Sequence, residues 1–105
     1  MNNATFEQVV EELLSRCRET LNKRKELYAP NENRLENFGT QAMLKDETLL
    51  QALAGNAAKH TVTFYSLINR AAVGEDIKLS QWQETLIDEI NYRLLAYAAV
   101  IDEEG

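Results

Sequence analysis

Apolar side chains recur at intervals of three and four along every long segment of this chain, and nowhere do they alternate as a strand requires. That spacing confines the chain to helices. Phe6, Val9, Val10, Leu13, Leu14, Cys17 and Leu21 form one stripe, preceded by Thr5, whose hydroxyl suits a helix cap. Glu12 with Arg16 and Glu19 with Lys23 stand four apart and decorate the solvent face. The single proline, Pro30, disfavours helix at Ala29, so this helix should end near Leu27 and Tyr28 to Arg34 should be a polar loop. A short helix is expected from about Leu35. Asp46 looks like the cap of DETLLQALAG, which Gly55 should close. Asn56 to Val73 then reads as a separate helix ended by Gly74. Its apolar residues Val62, Phe64, Tyr65, Leu67, Ile68 and Ala72 cover too wide an arc for one stripe. Ser80 should cap the last helix, with Gln83 at capping-box spacing. No repeat or linker divides the chain. The reading is all-α: a compact bundle of four or five helices forming one domain over 1–105.

A chain of 105 residues has room for one modest core. Its net charge of −6 argues against a surface for polymeric nucleic acid, which needs a basic footprint. It leaves room for a small nucleotide, since a few clustered cations suffice. The one cysteine, Cys17, allows no internal disulfide, and its place on an apolar stripe predicts a buried thiol. No signal-peptide pattern and no apolar run near 18 residues occur, so the expectation is a cytoplasmic protein without a membrane partner. The broad apolar surface from Val62 to Ala72, on so short a chain, predicts a homo-oligomer.

The last helix carries the chemistry. At about 100° per residue, Glu84, Asp88 and Asn91 fall within roughly 60° of one another. They border the apolar stripe of Ile87, Leu94 and Ala98, close to Trp82 and Tyr92. Charge beside a buried face is expensive unless a metal, a phosphate or a cation pairs with it. Glu26, Tyr28, Arg34, Asn37 and Phe38 in KELYAPNENRLENF, and Lys59 and His60 in AAKHTVTFY, supply the rest. Carboxylates with a few cations and aromatic rings suit a nucleotide: acids for magnesium or a ribose hydroxyl, cations for phosphates, rings for the base. Plainer roles compete. Glu84 and Asp88 fit a solvated surface, Lys59 and His60 could neutralise the acidic helix, and Phe38 and Trp82 suit the core. His60 is the sole histidine, too little for zinc. There is no Gly-rich phosphate loop, nucleophile elbow or Cys/His cluster.

The order CRETLNKRKELYAP, NRLENF, ETLLQALAG, KHTVTFY and WQETLIDEINYRLL, covering roughly Cys17 to Leu95, resembles the nucleotide modification associated domain 1 family of phages and prophages. That family is similar in turn to the MazG-like all-α nucleoside triphosphate pyrophosphatases. The resemblance implies a MazG-like helical bundle, often oligomeric, in a bacterial host, with a nucleotide cleft lined by acidic helices. In the pyrophosphatases an ExxE pair and an ExxD pair hold magnesium. Here Asn91 stands where the second pair ends in an acid, and Asn33 replaces another commonly acidic position. An amide is a poor magnesium ligand beside a carboxylate. The leading reading is a protein that holds a phosphate-bearing nucleotide, such as a cyclic or modified defence signal, without cofactor and without hydrolysis. Its ligand residues would be Glu26, Tyr28, Arg34, Asn37, Phe38, Lys59, His60, Glu84, Asp88, Asn91 and Tyr92. The alternative is a magnesium-dependent pyrophosphohydrolase with the metal on Glu84 and Asp88. A helical interaction module with an internally paired polar strip is the third reading.

Overall fold

The computed structural model describes residues 1–28 and 33–105 short of the last; the side chains of Leu27, Tyr28 and Glu104 lie outside the described set. Four helices follow one another: α1 (Asn3–Tyr28), α2 (Glu36–Leu44), α3 (Leu49–Ala72) and α4 (Leu79–Glu104). The helix α4 is the hub. It packs along α3 over the greatest extent and along α1 on another side, while α2 lies on α3. Among the described residues there is no strand, and no helix is long and apolar enough to cross a membrane.

The helix ends are set by local chemistry, and several differ from the sequence expectation. Asn2 caps α1: its Oδ1 accepts from the Thr5 amide at 2.8 Å, so the helix starts ahead of Thr5. Asn33 folds the turn into α2 by accepting from the Leu35 amide at 3.0 Å. Asp46 closes α2 instead of opening the next helix. Its φ of 54° is left-handed, and the Glu47 amide donates back to the Ala42 carbonyl at 2.8 Å, a Schellman closure. Thr48 is the cap of α3, in a reciprocal capping box with Gln51. Gly55 does not end a helix: α3 runs through it as one rod of 24 residues. A glycine inside a helix costs about 1 kcal/mol, and burial of its neighbours Ala52 and Leu53 outweighs that. Gly74, at φ 87°, closes α3 as the sequence predicts. The helix α4 begins at Leu79, a residue before the expected Ser80 cap. Gln83 is not in a capping box there; its Oε1 accepts from Arg16 Nη1 at 3.0 Å and ties α4 to α1.

The core is small. Leu53, Tyr92 and Ala99 are buried together, with Leu35, Phe38, Leu49, Leu50, Ala57 and Leu95 packed around them. Cys17, Ala42, Ala52, Leu67 and Ile87 complete the buried apolar set. Phe38 thus serves the core, as its plainer reading held. Trp82 is half-buried and, with Val9, Leu13 and Leu86, lines the groove between α1 and α4.

Candidate functional site

The site is built around Asp88, on the side of α4 that meets both α1 and α3. Its Oδ1 accepts from Arg24 Nη2 at 3.1 Å, and its Oδ2 lies 3.5 Å from His60 Nδ1. One carboxylate therefore joins a cation of α1 to the imidazole of α3. Tyr92, one turn further along α4, supports both groups. The His60 ring stacks on it with centroids 5.0 Å apart and planes at 24°, and the Arg24 guanidinium carbon lies 5.7 Å from its centroid. Phe38 from α2 meets the same ring edge-on at 6.1 Å. Tyr92 is only 7% exposed, so its ring orients neighbours and presents no open face to a base.

Arg24 leads outward to a second set of groups. With Lys25, Arg34, Asn37 and Phe38 it lines a narrow cleft of about 40 Å³, walled by Leu21 and Leu95. Arg34 is anchored across it by donating from Nη2 to the Leu21 carbonyl at 2.9 Å, which holds the start of α2 to α1. A wider groove of about 430 Å³ adjoins it and shares Leu21, Arg34 and Leu95; Leu94, Ala98 and Asp102 also line it. Asp88 balances Arg24, leaving the charges of Lys25 and Arg34 at the cleft.

The eleven residues marked out by the sequence thus separate. Arg34, Asn37 and Phe38 come together at the cleft, and His60, Asp88 and Tyr92 form the network behind it. Asn91 turns elsewhere. It is 1% exposed, and its Nδ2 donates to the Cys17 carbonyl at 3.2 Å inside the α1–α4 seam. Its Oδ1 is buried without a hydrogen-bond partner. Glu26, Lys59 and Glu84 are exposed and are not drawn into either group among the described residues. The side chain of Tyr28 lies outside the described residues. Glu84, Asp88 and Asn91 share an angular sector yet meet three environments: water, the ionic network and the core.

Arg24 and Lys25 line the cleft and were not among the residues that the sequence marked out. The signal was present: Leu13, Cys17 and Leu21 step along the apolar stripe, and the next step falls on Arg24. A cation on an apolar stripe needs an acid opposite, and Asp88 borders the stripe of α4.

The donor set limits the chemistry. Both Asp88 oxygens face cationic or imidazole groups, and among the described residues no three His, Cys, Asp or Glu side chains converge as a metal site would require. Glu84 and Asp88 as placed therefore do not make a magnesium-binding set. Cys17 is 1% exposed, and burial pushes its thiol above the ordinary range, the reverse of an activated nucleophile. The cleft presents Lys25 and Arg34, cations of the kind that pair with anions. Comparison of the chain with models of protein families, with curated proteins and with solved structures finds no match.

Proposed function

We propose that this protein binds a phosphate-bearing nucleotide, without hydrolysing it, at the cleft between the end of α1 and the start of α2. One observation carries the reading. In a chain of net charge −6, three cations from two parts of the sequence gather at one cleft beside an aromatic ring and an amide. Arg34 and Lys25 take the phosphates, Arg34 with the fork geometry that suits them. Asn37 meets a polar edge of the ligand. The adjoining groove, walled by Leu21, Leu94 and Leu95, is within the size range of small-molecule sites and receives the base or sugar. Retention in place of turnover is favoured because Asp88 is committed to Arg24 and His60. By its sequence resemblance to the phage family, the biological role is to sequester a nucleotide signal.

The experiment is calorimetry against mono-, tri- and cyclic nucleotides, with the bound ligand recovered after heat denaturation and identified by chromatography. Binding that weakens about tenfold or more in Arg34→Ala, from loss of a charge-assisted bond of about 1.5–3 kcal/mol, is expected. Lys25→Ala should weaken binding as well, whereas Lys59→Ala, which does not line the cleft, should leave it unchanged. No heat with any nucleotide, or release of monophosphate and pyrophosphate in place of intact ligand, would overturn the reading.

A further inference from the structure

The ionic network behind the cleft contains the sole histidine of the chain, His60. Imidazole is the side chain whose charge ordinarily changes between pH 5 and 8. The His60 side chain is 20% exposed, so solvent protons reach it. Among the described residues one carboxylate lies within ion-pair reach of it, that of Asp88 on α4, with Oδ2 at 3.5 Å from Nδ1. The next acid of α4, Glu89, accepts from the Thr61 hydroxyl instead. From α1 comes Arg24, held on the other oxygen of Asp88 at 3.1 Å. Tyr92 of α4 stacks on the imidazole and fixes its plane. The α2 residue at this end is Phe38, which meets Tyr92 and carries no charge. On α3 itself, Lys59 is exposed, and Asn56, one turn back, donates to Gln41.

We propose that His60 is a positioning residue that sets the charge of the cleft by taking up a proton, an inference that rests on reading the cleft as an anion site. While the imidazole is neutral, the Asp88 carboxylate neutralises Arg24, and the two together carry no net charge. An imidazolium competes for the same carboxylate. The 3.5 Å contact is longer than the roughly 2.7–2.9 Å of a charge-assisted N–H to carboxylate bond. A small turn of Asp88 toward His60 closes that gap and loosens the bond to Arg24. Arg24 lines the cleft beside Lys25 and Arg34, so a guanidinium loosened from Asp88 offers its donors to an anion there. Protonation also leaves the set of Arg24, Asp88 and His60 with one surplus positive charge directly behind the anion. By linkage the effect is reciprocal: anion binding takes up a proton, and affinity rises as pH falls through the imidazole range. Couplings between sites commonly reach 5- to 150-fold. These side chains are 20–34% exposed, and solvent and salt screen such charges, so the low end, about fivefold, is expected.

The test is calorimetry on the full chain with cyclic AMP and with inorganic sulfate, at pH 5.5 and pH 8, in two buffers of different ionisation heat. Both probes keep their charge over this interval, unlike a phosphate monoester, which loses its second proton near about pH 6. Wild-type affinity about fivefold higher at pH 5.5, with net proton uptake on binding, is expected. His60→Gln should hold the weaker, alkaline affinity at both pH values. Asp88→Asn, which frees Arg24 at every pH, should hold the tighter one at both. A group that served the fold alone would move affinity without flattening the pH profile, and circular dichroism checks that each variant stays helical. His60→Gln leaves the acids of the chain in place, so an effect of overall charge would persist in it. Equal wild-type affinity at the two pH values, or a pH profile that either variant leaves intact, would overturn the inference and leave the cleft as a binding site. No heat from either probe at either pH would also overturn it, and the full nucleotide panel then decides whether the parent reading falls with it.

Discussion

Arg24 Nη2 on α1 lies 3.1 Å from Asp88 Oδ1 on α4, joining residues 64 positions apart across the seam that holds the first helix to the rest of the bundle. The side chains are 34% and 27% exposed, so the pair is neither a surface bridge nor a sealed one. Exposed pairs contribute 0–1 kcal/mol, and breaking a buried pair costs several. Asp88→Ala removes the acid from between Arg24 and His60 and leaves the Arg24 guanidinium without its counter-charge. A loss of about 1–2 kcal/mol in urea unfolding is expected, with unchanged helicity at low denaturant. An Asp88→Ala midpoint equal to that of the wild type would show that the network is held by Tyr92 and packing alone.

Cys17 reports on the same seam. Its thiol is 1% exposed and is pushed up by burial, so little of it is thiolate at neutral pH. Native protein should react with a thiol reagent orders of magnitude more slowly than urea-unfolded protein. A thiol whose value is raised in the fold favours the fold fully below its unfolded value, and that contribution is lost as pH rises through the folded value. Stability should therefore fall off on the alkaline side, and Cys17→Ala should flatten that decline. Equal labelling rates in folded and unfolded protein would place the thiol in water.

The helical class, the buried cysteine and the Gly74 stop were legible because each depends on neighbours a few residues away. Asp46 and Gly55 misled for the same reason. An Asp before TLL has the chemistry of an N-cap, but the left-handed turn at Asp46 and the better-placed Thr48 decide the boundary. A Gly after ALA looks like a stop until Leu53 is seen buried beneath it. The cleft was half legible: Arg34, Asn37 and Phe38 stand close together in one motif, whereas Arg24 joins them only when α1 folds back on α4. Angular position on α4 could not separate Asp88 from Asn91, since that depends on which neighbour covers each.

Continuity of α3 through Gly55 makes its own prediction. The residue is inside a helix, its φ is not in the left-handed region, and an added Cβ meets nothing. Alanine there removes backbone freedom from the unfolded chain without strain in the folded one. Gly55→Ala should raise stability by about 0.5–1 kcal/mol in urea unfolding at concentrations too low for self-association. A loss of that size would mean that α3 breaks at Gly55 after all.

Asn91 stands where an acid would be costly. It is 1% exposed, it donates to the Cys17 carbonyl at 3.2 Å, and its own oxygen has no donor. An unpartnered buried acceptor costs about 1–3 kcal/mol, so Asn91→Leu, of similar volume, should stay within about 1 kcal/mol of the wild type. Asn91→Asp should lose about 3 kcal/mol at neutral pH, because it buries a charge facing a carbonyl oxygen. Burial raises the carboxyl in the fold above its unfolded value of about 4. The penalty should therefore be nearly absent below that value and grow as pH rises through the interval up to the folded value. Urea unfolding of the three proteins at pH 4 and pH 7 reads this directly. An Asn91→Asp protein as stable as the wild type at pH 7 would show that the position opens to water, and a ligand-facing role for residue 91 would return.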